Sequence, residues 1–279
     1  MDKELKTVES PLSLKEYDED QHLIHESNWG AGGMLSEKFV FEYQGDLLVK
    51  QITYSEEDEI AETESYEYAE DGKLHRTIIE YFDGSKDIIT HKYNAEGNRI
   101  SSHTVDEEGD EGQQEFWEYQ QNNLILYRLI NDFGEVEEEQ KMEYADNKLI
   151  KKDYFNALEE IRQQTKYEYN QEGNLIKESV FNTKGKLIEE KTYRYNEFGK
   201  IVFEQIENAK ETNTKQIQYD KAGNEIYSIE REEDADITKY EVWREFDSNN
   251  NQMQSKVLIY GNEDHSDLEY EVKYLYEFY

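Results

Sequence analysis

The sequence predicts an all-β protein of about eleven tandem β-hairpin repeats of roughly 25 residues, forming one long, twisted and curled antiparallel sheet. Three observations carry this. An aromatic-x-Tyr pair recurs at a nearly constant interval, a glycine or asparagine follows it at a fixed distance, and a second glycine marks the middle of each unit.

Taking the second aromatic as anchor, the series is Tyr17, Tyr43, Tyr68, Tyr93, Tyr119, Tyr144, Tyr169, Tyr195, Tyr219, Phe246 and Tyr274. Pairs such as Tyr66/Tyr68, Trp117/Tyr119 and Tyr193/Tyr195 put two rings on one face of a strand, because strand side chains alternate. Four residues after the anchor stands Gly72, Gly97, Gly173, Gly199 or Gly223, with Asn123 or Asn250 in weaker copies. Both residue types tolerate positive φ, so this is the first turn of each hairpin. A second turn is expected at Gly33, Gly84, Gly109, Gly134, Gly185 and Gly261, giving two strands per repeat.

Segments after the first turn, such as Leu124-Ile125-Leu126 and Leu175-Ile176, place apolar groups on both faces. They call for a sheet that curls to bury at least one face. Residues 1–14 are expected to be a lead-in segment and 15–279 a single repeat domain, with Tyr274 to Tyr279 capping the array as a strand.

Composition alone, with 31 basic and 66 acidic residues and a net charge of −35, would suit a disordered chain. The 23 tyrosines, 11 phenylalanines and 3 tryptophans held in register oppose that. Cysteine is absent, which excludes disulfide and thiolate chemistry, and no apolar run of membrane-spanning length occurs. The expected setting is the cytoplasm, with no membrane contact.

The charge is uneven. Residues 1–140 hold 11 basic and 36 acidic side chains, a net of −25, and residues 141–279 hold 20 and 30, a net of −10. The densest runs are Glu56, Glu57, Asp58, Glu59, then Asp106, Glu107, Glu108, Asp110, Glu111, then Glu137, Glu138, Glu139, with Asp83 and Asp87 between the first two. All fall in or beside second turns, and a meander brings those turns to one edge, so an acidic rim is expected there. These residues are the candidate partner-binding set. The competing reading is that acidic turns merely keep an edge-rich β-array soluble.

Catalytic and metal signatures are missing: His22, His25, His75, His91, His103 and His265 lack ligand spacing, and no phosphate-binding loop or nucleophile motif occurs. We expect neither an enzyme nor a bound cofactor or metal. The charge opposes direct nucleic-acid binding, because it repels phosphate.

The unit Tyr167-Glu168-Tyr169-Asn170-Gln171-Glu172-Gly173-Asn174-Leu175 resembles the YD repeat of the RHS family, Tyr-x-Tyr-Asp-x-x-Gly-x-Leu. Asp stands in the motif position at Asp18, Asp220 and Asp247, and Asn at Asn94, Asn170 and Asn196. The resemblance implies a spiralling β-sheet. Large members look like shells around a toxin, whereas this short chain shows no toxin-like tail. Small proteins with similar repeats look like immunity proteins or antitoxins of bacterial polymorphic toxin systems. The expected function is therefore an acidic interaction protein that neutralises a basic protein partner, a toxin, with nucleases among the candidates. The alternative is a structural or carbohydrate- or other ligand-binding β-repeat module, a relic of an RHS shell.

Overall fold

The computed structural model describes residues 12–30, 33–158, 160–261 and 267–277. They form twenty-one strands and no helix. Contacts divide the chain into residues 1–139 and 140–279. The first unit contains β1 (Ser13–Tyr17), β2 (Leu23–Trp29), β3 (Leu35–Gln44), β4 (Leu47–Tyr54), β5 (Ile60–Tyr68), β6 (Leu74–Tyr81), β7 (Lys86–Tyr93), β8 (Arg99–Asp106), β9 (Glu111–Gln120) and β10 (Asn123–Ile130). Strand β11 (Val136–Ala145) spans the boundary. The second unit contains β12 (Lys148–Asn156), β13 (Ile161–Tyr169), β14 (Leu175–Asn182), β15 (Leu187–Tyr195), β16 (Ile201–Asn208), β17 (Thr212–Tyr219), β18 (Glu225–Glu232), β19 (Ile237–Phe246), β20 (Gln252–Ile259) and β21 (Leu268–Lys273).

Within each unit, every described pairing is antiparallel and joins strands consecutive in sequence. Within a unit the described contacts join only these strands, so each unit is an open meander with nothing packed on either face among the described residues. The all-β hairpin-repeat fold class is the one the period predicts. The burial is unusual for it. Ile229, at 7 % exposure, is the single buried apolar residue described, and most strand positions on both faces are half-buried. Stability therefore rests on cross-strand pairs, worth about 0.2–1 kcal/mol each. Trp117 opposite Tyr127 (5.7 Å between ring centres) and Tyr227 opposite Trp243 (5.5 Å) are the aromatic examples.

The apolar doublets have a local cause. In nearly every hairpin the register slips at the anchor: Tyr43 pairs with Leu48 while Glu42 pairs with Lys50, and Tyr169 pairs with Leu175 while Glu168 pairs with Lys177. Val49 and Ile176 are thus the extra residues of β-bulges, which change the phase of the strand and increase its local twist. Both doublet members are apolar because a bulge separates them.

Beyond the bulge the same leucine meets the next repeat. Ladders between repeats stop at His25↔Val40, Lys50↔Ser65, Arg76↔Thr90, Lys151↔Lys166, Lys177↔Thr192 and Phe203↔Gln216. Two residues nearer the first turn, the carbonyls of Leu23, Leu48, Leu74, Leu149, Leu175 and Ile201 lie past the last rung. Each accepts the hydroxyl of the following anchor: Tyr43 (3.1 Å), Tyr68 (2.7 Å), Tyr93 (2.8 Å), Tyr169 (2.9 Å), Tyr195 (2.6 Å) and Tyr219 (2.9 Å). Tyr17 makes no such hydrogen bond among the described residues and stands 57 % exposed.

Several turn assignments need correction. Asn123 opens β10, and the left-handed residues there are Gln121 and Asn122, because a two-residue turn replaces the three-residue one. Gly261 has no positive φ and leads into a longer connection that includes residues outside the described set. The C-terminal strand ends at Lys273, and Tyr276 rather than Tyr274 donates to the Gln252 carbonyl (2.9 Å). Residues 278–279 of the expected cap, and residues 1–11 of the lead-in, lie outside the described residues, while β1 begins at Ser13.

Replacing Tyr68 or Tyr195 by phenylalanine removes one inter-repeat hydrogen bond and leaves a strand-end carbonyl without its donor. Each substitution is expected to lower stability by about 1 kcal/mol. Tyr17→Phe, which removes no hydrogen bond among the described residues, should leave the melting temperature unchanged in the same calorimetric scan.

Candidate functional site

The turns that carry the acidic runs share one construction. The backbone N–H of the first turn residue donates to the carbonyl four residues on, and the N–H three residues on donates back, as at Asn94/Gly97/Asn98, Ser55/Asp58/Glu59 and Asp106/Gly109/Asp110. This is a three-residue hairpin loop closed by a left-handed residue. Gly97 (φ 89°) and Gly109 (φ 90°) fill that position easily, whereas Asp58 (φ 61°) occupies it as a non-glycine.

The first turn residue also caps the loop. Oδ1 of Asp106 accepts the N–H groups of Glu108 (3.0 Å) and Asp110 (2.8 Å), and Oδ1 of Asn196 accepts those of Phe198 and Lys200 (both 3.0 Å). The position needs a short side chain with an acceptor oxygen, which Asp and Asn both supply. That explains why the motif position alternates between the two. Hydrogen bonds from the Asn224 backbone and amide hold the Asp220 carboxyl below its ordinary value. The Asn251 amide and backbone do the same for Asp247.

The candidate residues fall into three groups. Glu56, Glu57, Glu59, Glu107, Glu108 and Asp110 are exposed turn residues, and their carboxylates make no hydrogen bond or ion pair among the described residues. Asp58, Asp83, Asp106 and Glu111 also sit at this edge but are engaged. Asp58 pairs with Lys38 (2.7 Å), Asp83 caps Ser85, Asp106 caps its own turn, and Glu111 meets His103 and Gln114. Asp87, Glu137, Glu138 and Glu139 are half-buried strand residues: Asp87 accepts the Tyr81 hydroxyl (3.0 Å) and Glu139 is bound by Arg128 (2.6 Å).

The β4–β5, β6–β7 and β8–β9 turns project from one edge, about 9.6 Å apart given two strand spacings per repeat. Charges at that separation are close to one Debye length in physiological salt, so their fields overlap. The sequence reading missed an apolar element on this edge. Phe82, in the turn between the two acidic ones, is 83 % exposed, and Phe133 in the β10–β11 turn is 82 % exposed. Both stand in turn segments, Phe82 two residues and Phe133 one residue before a glycine, where no core period reveals them.

Asp106, Glu108 and Asp110 bring one carboxylate oxygen each within 4.8 Å of one another. This is the Asx-capped turn already described, and turn capping accounts for the arrangement. A buried group stands elsewhere. His91, 6 % exposed, lies between the hydroxyls of Thr77 (Nε2, 3.1 Å) and Ser102 (Nδ1, 2.9 Å). Burial, aided by the positive Arg99 and His75, pushes it down to about 4.

No protein-family model and no curated protein matches the chain. Among solved structures, the Photorhabdus luminescens Tc holotoxin pore aligns over 92 % of this chain and 18 % of its own at 11 % identity, with a TM-score of 0.34. A TcdB2–TccC3 structure without its hypervariable C-terminal region aligns over 90 % of this chain and 18 % of its own at 13 % identity and a TM-score of 0.34. A porin-like protein from Bacteroides uniformis aligns over 96 % of this chain and all of its own at 14 % identity and a TM-score of 0.33. The chain spans less than a fifth of those two toxin-complex chains.

Two pH responses follow. Asp220 and Asp247 are depressed in the fold, so they stabilise it above the unfolded carboxyl value near 3.8, and that contribution is lost as pH falls through their lower folded values. An Asp220→Asn/Asp247→Asn variant keeps the acceptor oxygen, so its stability deficit at pH 7 should shrink on titration toward pH 2.5, read by thermal melts. For His91 the unfolded chain binds the extra proton between pH 6.5 and about 4, so wild-type stability falls as pH drops through that window. His91→Gln should flatten the slope there.

Proposed function

We propose that this chain is an acidic interaction protein that binds and neutralises a basic protein partner, acting as an immunity protein or antitoxin against a bacterial toxin. The observation that carries the reading is the edge of the first unit, where Glu56, Glu57, Glu59, Glu107, Glu108 and Asp110 project uncompensated from two turns on either side of Phe82. Clustered like charge raises the encounter rate with an oppositely charged protein. An exposed aromatic between the acidic turns supplies the apolar anchor that a stable interface needs.

Solubility alone asks for charge but gives no reason to expose Phe82 and Phe133 along the same row of turns. The tyrosines favour this reading over a sugar-stacking module in one respect. Six anchor hydroxyls are occupied by backbone carbonyls of the preceding repeat, which gives the repeated rings a structural role. The toxin setting rests on the resemblance of the repeat and on the charge. No step of the reading requires a catalytic residue, a cofactor or a metal.

The test leaves Asp58 and Asp106 in place, because the first occupies a left-handed position and the second caps its turn. Glu56, Glu57, Glu59, Glu107, Glu108 and Asp110 are changed to lysine, and affinity is measured for the protein encoded beside this chain in its genome. We expect at least a ten-fold loss and a flattened salt dependence, with Phe82→Ser lowering affinity without changing the salt slope. Unchanged affinity in the lysine variant would falsify the rim as the binding edge.

A further inference from the structure

The two faces of the first unit differ in charge in a way that composition does not show. Side chains directly opposite in an antiparallel ladder share a face, so the register sorts them. Six of the eight strand cations of the first unit, Lys38, Lys50, Arg76, Lys86, Lys92 and Arg128, fall on the face opposite the anchors. Arg99 and Lys15, which pairs with Glu26 (3.3 Å), fall on the anchor face. The face opposite the anchors is largely self-neutralised: Lys50 pairs with Glu42 (3.7 Å), Arg76 with Glu67 (3.4 Å), Lys86 with Glu80 (2.9 Å) and Arg128 with Glu139 (2.6 Å).

The anchor face from β5 to β10 carries Glu62, Glu64, Asp87 and Glu115 among Tyr66, Tyr81, Trp117 and Tyr127. None of the four carboxylates has an ion-pair partner among the described residues. Three accept tyrosine hydroxyls instead: Glu64 from Tyr66 (2.9 Å), Asp87 from Tyr81 (3.0 Å) and Glu115 from Tyr127 (3.0 Å). Asp87 stands directly opposite Asp106, a like-charge pair that costs stability. Partial burial and the neighbouring Glu64 raise the Glu62 carboxyl above its ordinary value. The strand cation on this face, Arg99, lies at the first-turn end over the Trp117 ring (5.9 Å).

The same face of the second unit is built differently. There Lys191 stands opposite Glu178, and Lys215 stands between Glu204 and Glu230. The repeat can thus place lysines on its anchor face, and in the first unit it places none from β3 to β10. Among the described residues of this unit no element covers this face, and the carboxylates without an ion-pair partner stand beside aromatic rings, which also attract cations.

We propose that the anchor face of β5–β10 is a docking surface for an extended, Arg/Lys-rich segment of a protein partner, with Glu62, Glu64, Asp87 and Glu115 as the countercharges. It rests on the basic-partner reading above and moves the deeper contact from the turn rim onto the sheet. Glu64 and Asp87 lie on one rung row, both opposite Ile79, so they are about two strand spacings or ~9.6 Å apart. An extended chain covers that distance in about three residues.

The probe is a ten-residue oligoarginine peptide titrated into the full chain, with Trp117 fluorescence as the local signal and Trp117→Phe to assign it. In Glu62→Gln/Glu64→Gln/Asp87→Asn/Glu115→Gln, whose side chains can still accept the tyrosine hydroxyls, we expect the dissociation constant to rise ten-fold or more. Neutralising four carboxylates on the opposite face, Glu42, Glu67, Glu80 and Glu118, changes the net charge equally and should shift it by less than about two-fold. If the quadruple variant does not fold, Glu62→Gln/Glu64→Gln alone should raise the constant at least three-fold. Equal losses in both face variants would mean that net charge alone acts, and the proposal fails. If the rim variant loses binding and the face variant keeps it, the basic-partner reading survives and this location does not. If neither variant moves the constant, both fall.

Discussion

A carbonyl left over at the end of a strand ladder is the constraint around which this repeat is arranged. Each bulge at the anchor removes the leucine after the first turn from regular pairing with the strand that follows, and its oxygen would stand open at the sheet margin. The next anchor tyrosine closes it from about twenty residues further along, as Tyr68 does for Leu48. The bulge, the leucine and the tyrosine are therefore one device spread over two repeats. That device explains why the tyrosines keep their register so closely. A phenylalanine there, as at Phe246, has no hydroxyl to donate.

A single layer with almost no fully buried apolar side chain has consequences for charge. In an ordinary two-layer domain one face of each strand is hidden, and an unpaired carboxylate there would be expensive. Here both faces remain half open, so Glu62, Glu64, Asp87 and Glu115 keep part of their surface in water, and three of them, Glu64, Asp87 and Glu115, accept tyrosine hydroxyls. The self-neutralised face and the anionic face of one sheet can then differ without a packing penalty. Some buried polarity is structural, as His91 between Thr77 and Ser102 shows.

Much of the fold was legible because turn chemistry is local. Gly72, Gly97, Gly173, Gly199 and Gly223, and likewise Gly84, Gly109, Gly134 and Gly185, all have positive φ where the motif placed them. Asn123 and Gly261 were misplaced because loop length, which residue type does not encode there, set the turn. The doublets Leu124-Ile125 and Leu175-Ile176 read as groups on two faces when they mark bulges, a backbone feature that alternation counts cannot separate from burial. Of the acidic set, the runs around residues 56–59 and 106–111 do lie at the second-turn edge, while Asp87 and Glu137 to Glu139 are in strands.

By itself the sequence determined the repeat length, the two turns per unit, the all-β class and the concentration of negative charge in the first half. Each depends on neighbours within a few residues or on simple counting. Only the tertiary structure decided which carboxylates are spent on caps and ion pairs, which face each charge occupies, and what the tyrosine hydroxyls bond. Those depend on register between strands, and one bulge per hairpin shifts that register by a residue, which moves side chains from one face to the other.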